Sequence, residues 1–210
     1  MTILPDLAQG SEQWFAVRSG RPTASEFSRI ITSTGKDSSQ WGGFAVELCA
    51  ECLPPFEVKF EGNYHTDRGN ELEPEARDLF ALEMGFGVQE VGFITRDDEI
   101  AGCSPDGLVY KEGSEEPLAG LEIKCPTKKN HAMDLIAGKL PDKHKQQVHG
   151  ALAVTGLDYW YYMSYCRGLK PLIVRVERDS YTEKVSYALD RFLVYYEQKR
   201  KEIMPILKGL

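Results

Sequence analysis

The 210-residue sequence lacks any apolar run close to the ~20 residues that a membrane-spanning helix needs. Its first residues, MTILPDLAQGSEQW, also lack the basic stretch and apolar core of a signal peptide. These absences argue against a membrane protein and against a secreted one. We therefore expect a cytoplasmic protein with no membrane partner.

Cysteine is scarce and irregularly placed. The five cysteines, an odd number, stand at positions 49, 52, 103, 125 and 166, which fits reduced thiols better than a disulfide framework. Cys49 and Cys52 form a C-x-x-C pair, but the sequence has no second Cys or His pair at zinc-finger spacing. A structural zinc site is therefore not expected.

Positive charge is in deficit as well. The net charge of −7 argues weakly against a general nucleic-acid coating protein, since phosphate affinity comes mainly from clustered lysine and arginine. The deficit is not uniform, because residues 124–145 are locally basic. Their lysines are Lys124, Lys128, Lys129, Lys139, Lys143 and Lys145. This segment fits contact with DNA, although a solvated helix face has the same composition.

Hydrophobic patterning predicts helices alternating with strands. Helical spacing occurs in residues 70–84, 128–137, 142–154 and 180–207, and Thr23 to Glu26 has the form of a capping box that starts a helix through Ile31. Strands are predicted at 88–95, 100–103, 108–110, 118–125, 159–166 and 172–176, the first four as a meander, and residues 33–43 as a loop. The predicted fold class is α/β (α+β), a single domain over residues 1–210 with a central mixed β-sheet flanked by helices.

The segment LEIKCP, residues 121–126, combines an apolar strand with two charges. Because strand side chains alternate, Glu122 and Lys124 project from one face, while Leu121, Ile123 and Cys125 pack on the other. The charged face is either exposed to solvent or part of a site.

A second acid can join this face. Asp106 stands in CSPDG, residues 103–107, at a predicted tight turn. If the flanking strands are neighbours, Asp106, Glu122 and Lys124 meet at one end of the sheet. Two converging carboxylates repel each other unless a cation neutralises them, and oxygen ligands suit Mg²⁺ or Mn²⁺. The alternative is a surface Glu-Lys strand face beside an unrelated turn.

Five segments in order resemble one known family, the phage lambda exonuclease type (YqaJ-like) of alkaline exonuclease, within the PD-(D/E)xK nuclease superfamily. They are WFAVR (14–18) with TASE (23–26), GNELE (69–73) with ARDLF (76–80), CSPDG (103–107), GLEIKCP (120–126) and QV (147–148). The resemblance spans Trp14 to Val176 and implies a restriction-endonuclease-like core. The spacing from Asp106 to Glu122 is longer than in the lambda enzyme, which we assign to the polar turn at 111–117.

The resemblance implies a role for each matching residue. The implied catalytic residues are Asp106, Glu122, Lys124, Glu73 and Gln147. Asp106 and Glu122 match metal ligands, with the Ile123 carbonyl as a further ligand. Glu73 matches a third acid, and Lys124 and Gln147 match groups around the attacking water.

The resemblance also implies DNA contacts. Arg18 matches the residue that reads the 5′-terminal phosphate, and Ser25 and Ser104 match its companions. A guanidinium binds phosphate in a forked geometry, and Ser25 stands at the start of a predicted helix, where backbone N–H groups favour an anion. Lys128 and Lys129 are expected near backbone phosphates.

The implied activity is processive 5′→3′ digestion of one strand of linear double-stranded DNA, leaving 3′ single-stranded overhangs for recombination by strand annealing. The implied cofactor is Mg²⁺, with Mn²⁺ as a substitute and two ions expected. The implied partners are duplex DNA ends, two further copies in a homotrimeric ring and a single-strand annealing recombinase, in a bacterial or phage-infected cell.

Two alternatives stay open. One is another PD-(D/E)xK nuclease, either an endonuclease or a Cas4-like enzyme, and the absence of cysteines after Cys166 disfavours the iron–sulfur cluster of the latter. The other is a non-catalytic DNA-end-binding protein, which the retained Asp106, Glu122 and Lys124 disfavour.

Overall fold

Helices dominate the first part of the chain, a run of five strands follows, and helices and strands share the remainder. In a computed structural model that describes residues 1–54 and 64–209, the strands are β1 (Thr2–Leu4), β2 (Gly87–Gln89), β3 (Phe93–Thr95), β4 (Gly102–Cys103), β5 (Gly107–Tyr110), β6 (Ala119–Lys124), β7 (Tyr159–Ser164) and β8 (Leu172–Glu177). The α-helices of this part are α1 (Glu12–Arg18), α2 (Trp41–Glu51), α3 (Tyr64–Met84), α4 (Lys128–Ala137), α5 (Lys145–Thr155) and α6 (Ser180–Leu207). Short 3-10 helices cover Ala24–Arg29 and Asp142–His144. Within these ranges, no helix combines the length and apolarity needed to cross a membrane.

The central sheet is mixed, as the sequence predicts. Its strand order is β2-β5-β6-β7-β8, with β6 and β7 parallel and the other neighbours antiparallel. The parallel pair requires a crossover, which α4 and α5 supply between β6 and β7. A smaller sheet, of order β1-β3-β4, lies outside the central one.

One face of the central sheet packs against α3. Leu72, Ala76 and Phe80 follow one another at four-residue spacing and form a buried stripe on this helix. The sheet residues in the same cluster are Val109, Leu121, Ile123, Tyr161 and Met163. Leu121 and Ile123 thus lie on the α3 side, which confirms the alternation predicted for LEIKCP.

The opposite face packs against α5, and α6 and α2 extend the same hydrophobic cluster beyond it. Trp160 and Tyr162 of β7 are fully buried there with Val148 of α5 and Leu189 of α6. A Cβ on Gly120 would lie 2.2 Å from the Trp160 ring, so a glycine at this position lets the indole lie on β6. This face also receives the side chains of the charged residues of β6.

Capping residues mark the ends of two helices whose bounds agree with the sequence prediction. The α4 helix begins after Thr127, whose hydroxyl accepts from the Asn130 N–H at 3.4 Å, and ends at Gly138 in the left-handed conformation. The α6 helix begins with a capping box between Asp179 and Thr182. Both helices have the predicted bounds, whereas α3 begins at Tyr64, earlier than predicted.

The helix predicted for residues 23–31 is wrong in type. The chain forms a six-residue 3-10 helix, Ala24–Arg29, and the Thr23 side chain makes no capping hydrogen bond to it. Thr23 Oγ1 instead accepts from Arg18 at 3.3 Å and lies 3.1 Å from Ser25 Oγ. The Thr23 hydroxyl therefore binds Arg18 instead of capping a helix. Ser25 does not stand at the N-terminus of an α-helix, contrary to the prediction.

Three other boundaries differ from the prediction. The loop at 33–43 ends at Gln40, because α2 begins at Trp41 despite two glycines in its first turn. The helix at 142–154 begins as a 3-10 turn before α5. The strand at 88–95 divides at Gly92, where a Cβ would lie 1.8 Å from the Leu7 carbonyl oxygen, and its halves join different sheets. The predicted meander is therefore wrong, since β2 pairs with β5.

Candidate active site

The pairing of β5 with β6 brings Asp106 to the charged face of LEIKCP. In this antiparallel pair Gly107 lies opposite Leu121. The Asp106 N–H donates to the Leu121 carbonyl at 3.0 Å, and the Ile123 N–H donates to Asp106 Oδ2 at 2.5 Å. Asp106 is thus held beside β6 through both its backbone and its carboxylate. The strands that flank Asp106 and Glu122 are neighbours, which is the arrangement needed for the two acids to meet.

Glu122 is the buried centre of the site. Its residue is 3% exposed, and its Oε1 lies 2.5 Å from Lys124 Nζ and 2.5 Å from Gln147 Nε2. Gln147 comes from α5, on the same side of the sheet. The structure therefore brings Glu122, Lys124 and Gln147 into one hydrogen-bonded group, with Gln147 donating to the carboxylate.

Glu73 approaches from α3. Its Oε1 lies 2.6 Å from a terminal nitrogen of Arg77, four residues further along the helix. The Arg77 Nε donates to the Asp106 carbonyl at 2.8 Å, so Glu73 and Asp106 share this arginine. The i, i+4 spacing of Glu73 and Arg77 is visible in the sequence, but the contact of Arg77 with the Asp106 turn is not.

The site carries an excess of buried negative charge. Burial and the Asp106 charge raise the pKa of Glu73 to about 7, against partial compensation by Arg77. Burial also raises the pKa of Glu122 to about 7, where Lys124 opposes the shift and Asp106 adds to it. The pKa of Asp106 is raised by burial too, although Lys124 and the Ile123 N–H counteract this. Each carboxyl thus holds a proton more readily than in water.

Lys124 keeps its charge in this environment. Burial alone would lower its pKa, but Glu122 and Asp106 outweigh burial and the net pKa is raised. The ammonium is therefore a permanent cation at neutral pH, suited to orienting an anion or a water molecule rather than to accepting a proton.

The donor set fits a hard divalent cation by its chemistry. Carboxylate oxygens of Asp106, Glu122 and Glu73 and the Ile123 carbonyl are the ligands that Mg²⁺ or Mn²⁺ takes. A cation would also offset the burial, and the smaller charge repulsion from Asp106, that raise the pKa values of Glu73 and Glu122. Within residues 1–54 and 64–209, however, no three acid, imidazole or thiol groups lie close enough to form a complete metal centre. Glu122 and Glu73 are instead held by Lys124, Gln147 and Arg77.

A second group of polar residues surrounds Arg18 at the end of α1. Its guanidinium donates to Ser104 Oγ at 2.9 Å and to Thr23 Oγ1 at 3.3 Å, and its Cζ lies 4.1 Å from the centre of the Trp14 ring. Trp14 Nε1 also donates to Ser104 Oγ at 3.1 Å. Burial lowers the pKa of Arg18, and Glu26 is the largest of the opposing influences. Trp14 and Thr23 thus fix Arg18, a role that the sequence did not reveal.

A small cavity joins the two groups. Its volume is about 20 Å³, enough for a water molecule. The residues that line it are Arg18, Ala24, Ser25, Cys103, Ser104, Pro105, Glu122, Gln147, Ala151 and Trp160. Arg18 also borders a larger cleft of about 650 Å³. The predicted phosphate-binding residues Arg18, Ser25 and Ser104 therefore share a wall with Glu122 and Gln147.

Lys128 and Lys129 lie apart from both groups. They are exposed in the first turn of α4, four and five residues after Lys124. Cations are unfavourable at a helix N-terminus because of the helix dipole, so these lysines do not serve helix stability. Their exposure leaves them available to an anionic surface beside the site.

Three histidines with described side chains occupy packing positions. His131 is fully buried, with its ring nitrogens 2.9 Å from Ser164 Oγ and from the Lys170 carbonyl oxygen. His149 of α5 packs against the first turn of α6, with Nδ1 2.7 Å from Thr182 Oγ1, and thus does not face Glu122. His144 stacks on Tyr162, and burial together with the Lys124 charge lowers its pKa to about 3. His144 is thus a neutral neighbour of the site that sequence spacing did not indicate.

Comparisons with known proteins show the family of this chain. A model of the YqaJ-like viral recombinase domain matches residues 13–158. The structure is similar to an alkaline exonuclease (LHK-Exo) from Laribacter hongkongensis, with 30% identity, a TM-score of 0.79 and coverage of 95% of this chain and 99% of that one. For LHK-Exo in complex with dAMP the values are 29%, 0.72, 93% and 100%.

A more distant similarity shows the fold alone. A phage-related exonuclease from Haemophilus somnus 129PT is 17% identical, with a TM-score of 0.59 and coverage of 87% of this chain and 96% of that one. No curated protein matches the chain. The mixed sheet flanked by helices is thus the fold of alkaline exonucleases of the PD-(D/E)xK type.

Proposed function

Because the chain belongs to the family of YqaJ-like viral recombinase domains, we propose that it is a metal-dependent exonuclease acting on DNA. In this proposal it digests one strand of linear double-stranded DNA in the 5′→3′ direction, processively, and leaves a 3′ single-stranded overhang for strand annealing. The alkaline exonuclease LHK-Exo is 30% identical to this chain, which supports the assignment as a nuclease.

The closeness of the Arg18 group to Glu122 is the observation that carries the proposal. A guanidinium and two hydroxyl groups line the same wall as a buried carboxylate and an amide. A guanidinium recognises phosphate by paired hydrogen bonds. A terminal phosphate bound by Arg18, Ser25 and Ser104 would therefore place the next phosphodiester beside Glu122, and this order selects a 5′ end.

The acidic residues would hold the cation in this proposal. Asp106, Glu122 and the Ile123 carbonyl are the ligands, with Glu73 as the third acid, and two Mg²⁺ ions are expected, with Mn²⁺ as a substitute. When bound, such ions polarise a phosphodiester and lower the pKa of an attacking water. Gln147 would keep the Glu122 carboxylate in place for this role, since its Nε2 donates to Glu122 Oε1 at 2.5 Å.

Lys124 is proposed to stabilise charge rather than to remove a proton. Its Nζ lies 2.5 Å from Glu122 Oε1, where a protonated ammonium can orient water and offset charge developing on the phosphate. Lys128 and Lys129 are proposed to contact the phosphates of the DNA backbone, since they are exposed close to β6 in the chain.

The proposed partners follow from the resemblance. They are duplex DNA ends, two further copies of the chain in a homotrimeric ring and a single-strand annealing recombinase. A ring would explain processivity because it encircles its substrate. Sedimentation at working concentrations tests this part, and stable monomers that still degrade long duplexes processively would contradict it.

Digestion of end-labelled linear duplexes tests the activity. Each strand carries a label at one end, with a 5′-phosphate or a 5′-hydroxyl, and the reaction is followed in Mg²⁺ and in EDTA. We expect metal-dependent release of 5′-labelled mononucleotides, faster from phosphorylated ends. The Arg18→Ala variant should lose most of this preference for phosphorylated ends. Arg175→Ala, which replaces an exposed arginine of β8, serves as the control and should keep the preference. Release in EDTA, or equal rates from both kinds of end, would contradict the proposal.

A further inference from the structure

Arg77 makes three separate contacts that converge on the candidate active site. Its Nε donates to the Asp106 carbonyl at 2.8 Å, one terminal nitrogen lies 2.6 Å from Glu73 Oε1 and the other lies 2.8 Å from Glu90 Oε2. Its side chain is only 13% exposed. Each guanidinium nitrogen therefore has its own partner, and a partly buried fork of this kind has little freedom to move.

The three partners belong to different parts of the chain. Glu73 lies on α3, Asp106 lies at the turn before β5, and Glu90 follows β2. The Asp106 backbone is held on its other side by the bond from its N–H to the Leu121 carbonyl. Arg77 thus fixes where α3 stands relative to the turn that carries Asp106.

We propose that Arg77 is a positioning residue that sets the relative placement of Glu73 and Asp106 and so preorganises the site for a divalent cation. This inference rests on the proposed function, since it assigns to Arg77 the support of the same acids. Arg77 acts through Glu73 and the Asp106 backbone and does not itself touch the reacting atoms. Glu90 serves as the outer anchor of the guanidinium.

Replacement of an outer-shell partner of a metal ligand commonly costs about 10- to 100-fold in metal affinity or activity. We therefore expect Arg77→Gln to weaken Mg²⁺ binding, measured by titration calorimetry without DNA, by about tenfold or more. In the nuclease assay kcat should fall by a similar factor, with KM for DNA within about twofold of wild type. Arg77→Lys should not restore wild-type values, because an ammonium cannot reproduce a three-way fork.

Two comparisons separate positioning from general structure. Arg175→Gln is the matched control, because it removes an exposed arginine and its ion pair with Glu177 on β8, two strands away from β6, and its Mg²⁺ affinity should stay near wild type. In a Glu73→Gln background, Arg77→Gln should weaken Mg²⁺ binding less than it does alone, since part of its effect passes through Glu73. Thermal denaturation confirms that each variant is folded, and Arg77→Lys replaces Arg77→Gln if the latter does not fold.

The outcomes distinguish this inference from the proposed function. If the wild-type protein binds Mg²⁺ and degrades DNA while folded Arg77 variants bind Mg²⁺ normally, the positioning role is overturned alone. A rise in KM with unchanged kcat would instead identify Arg77 as a DNA contact and also overturn it. If the wild-type protein neither binds Mg²⁺ nor degrades DNA, the proposed function and this inference are overturned together.

Discussion

Cation binding at the cluster of Glu73, Asp106 and Glu122 should be coupled to proton release. The pKa of Glu73 and that of Glu122 are each raised from 4.5 to about 7, first of all by burial. A shift of this size corresponds to roughly 3 kcal/mol of unfavourable ionisation. A divalent cation binds the ionised carboxylates, so below pH 7 it must displace protons to bind.

The expected magnitude follows from the protonated fraction. A carboxyl is half ionised at its pKa and about one-tenth ionised one unit below it, so the apparent Mg²⁺ affinity should fall about fivefold from pH 7 to pH 6 if one proton is displaced, or about thirtyfold if two are. Calorimetry in buffers of different ionisation enthalpy gives the proton count directly. Glu73→Gln should reduce that count, whereas Glu116→Gln, exposed in the β5–β6 hairpin, should leave it unchanged.

The same shifts fix the sign of a stability effect. Carboxyls with a folded pKa above the unfolded value bind protons more tightly in the folded state between about pH 4.5 and pH 7. Their contribution to metal-free stability is present below pH 4.5 and lost as the pH rises through about 7. Stabilisation by Mg²⁺, measured as the rise in melting temperature over EDTA, should therefore grow from pH 6 to pH 8. An Mg²⁺ affinity that is flat across this range would refute the reasoning.

Three further changes test other parts of the structure. Lys124→Ala should reduce cleavage by about 100- to 1,000-fold, as expected for removal of a charge-stabilising group, while Mg²⁺ and DNA binding, measured by calorimetry and fluorescence anisotropy, persist. The double replacement of Lys128 and Lys129 by alanine should lower the slope of log affinity against log salt by about one to two, as for lost phosphate contacts. Gly120→Ala should destabilise the protein by about 1–3 kcal/mol in urea unfolding, because the new methyl group meets the Trp160 ring, whereas Gly43→Ala in open space on α2 should not.

Local sequence signals predicted most of the elements that surround the candidate site. The bounds of α4 and α6 follow from the caps at Thr127 and Asp179, and the alternation of LEIKCP follows from strand geometry. These features depend on neighbours within a few residues. The sequence therefore predicts these helix bounds and this alternation, because helix capping and strand alternation decide the structure at these positions.

Tertiary contacts decided the features that the sequence did not predict. Thr23 is diverted from capping by Arg18, and the strand at 88–95 breaks because Leu7 approaches Gly92. The α2 helix forms despite Gly42 and Gly43, since Phe44 and Leu48 bury one of its faces. In each case a hydrogen bond, a close backbone approach or the burial of a helix face outweighs the local preference, and the local pattern does not reveal that contact.

The placement of the acids follows from the mixed pairing of the sheet. Because β6 is antiparallel to β5, the turn that carries Asp106 lies beside the C-terminal half of β6, where Glu122 and Lys124 stand. Because β6 is parallel to β7, the chain must cross over after Lys124, and the crossover brings Gln147 of α5 back over Glu122. If β6 and β7 were instead paired as an antiparallel hairpin, no crossover would be needed, and Glu122 would lack its hydrogen bond from the Gln147 amide. The parallel pair is therefore the feature of the fold that covers the buried carboxylate, while Arg77 secures the acids from the opposite side of the sheet.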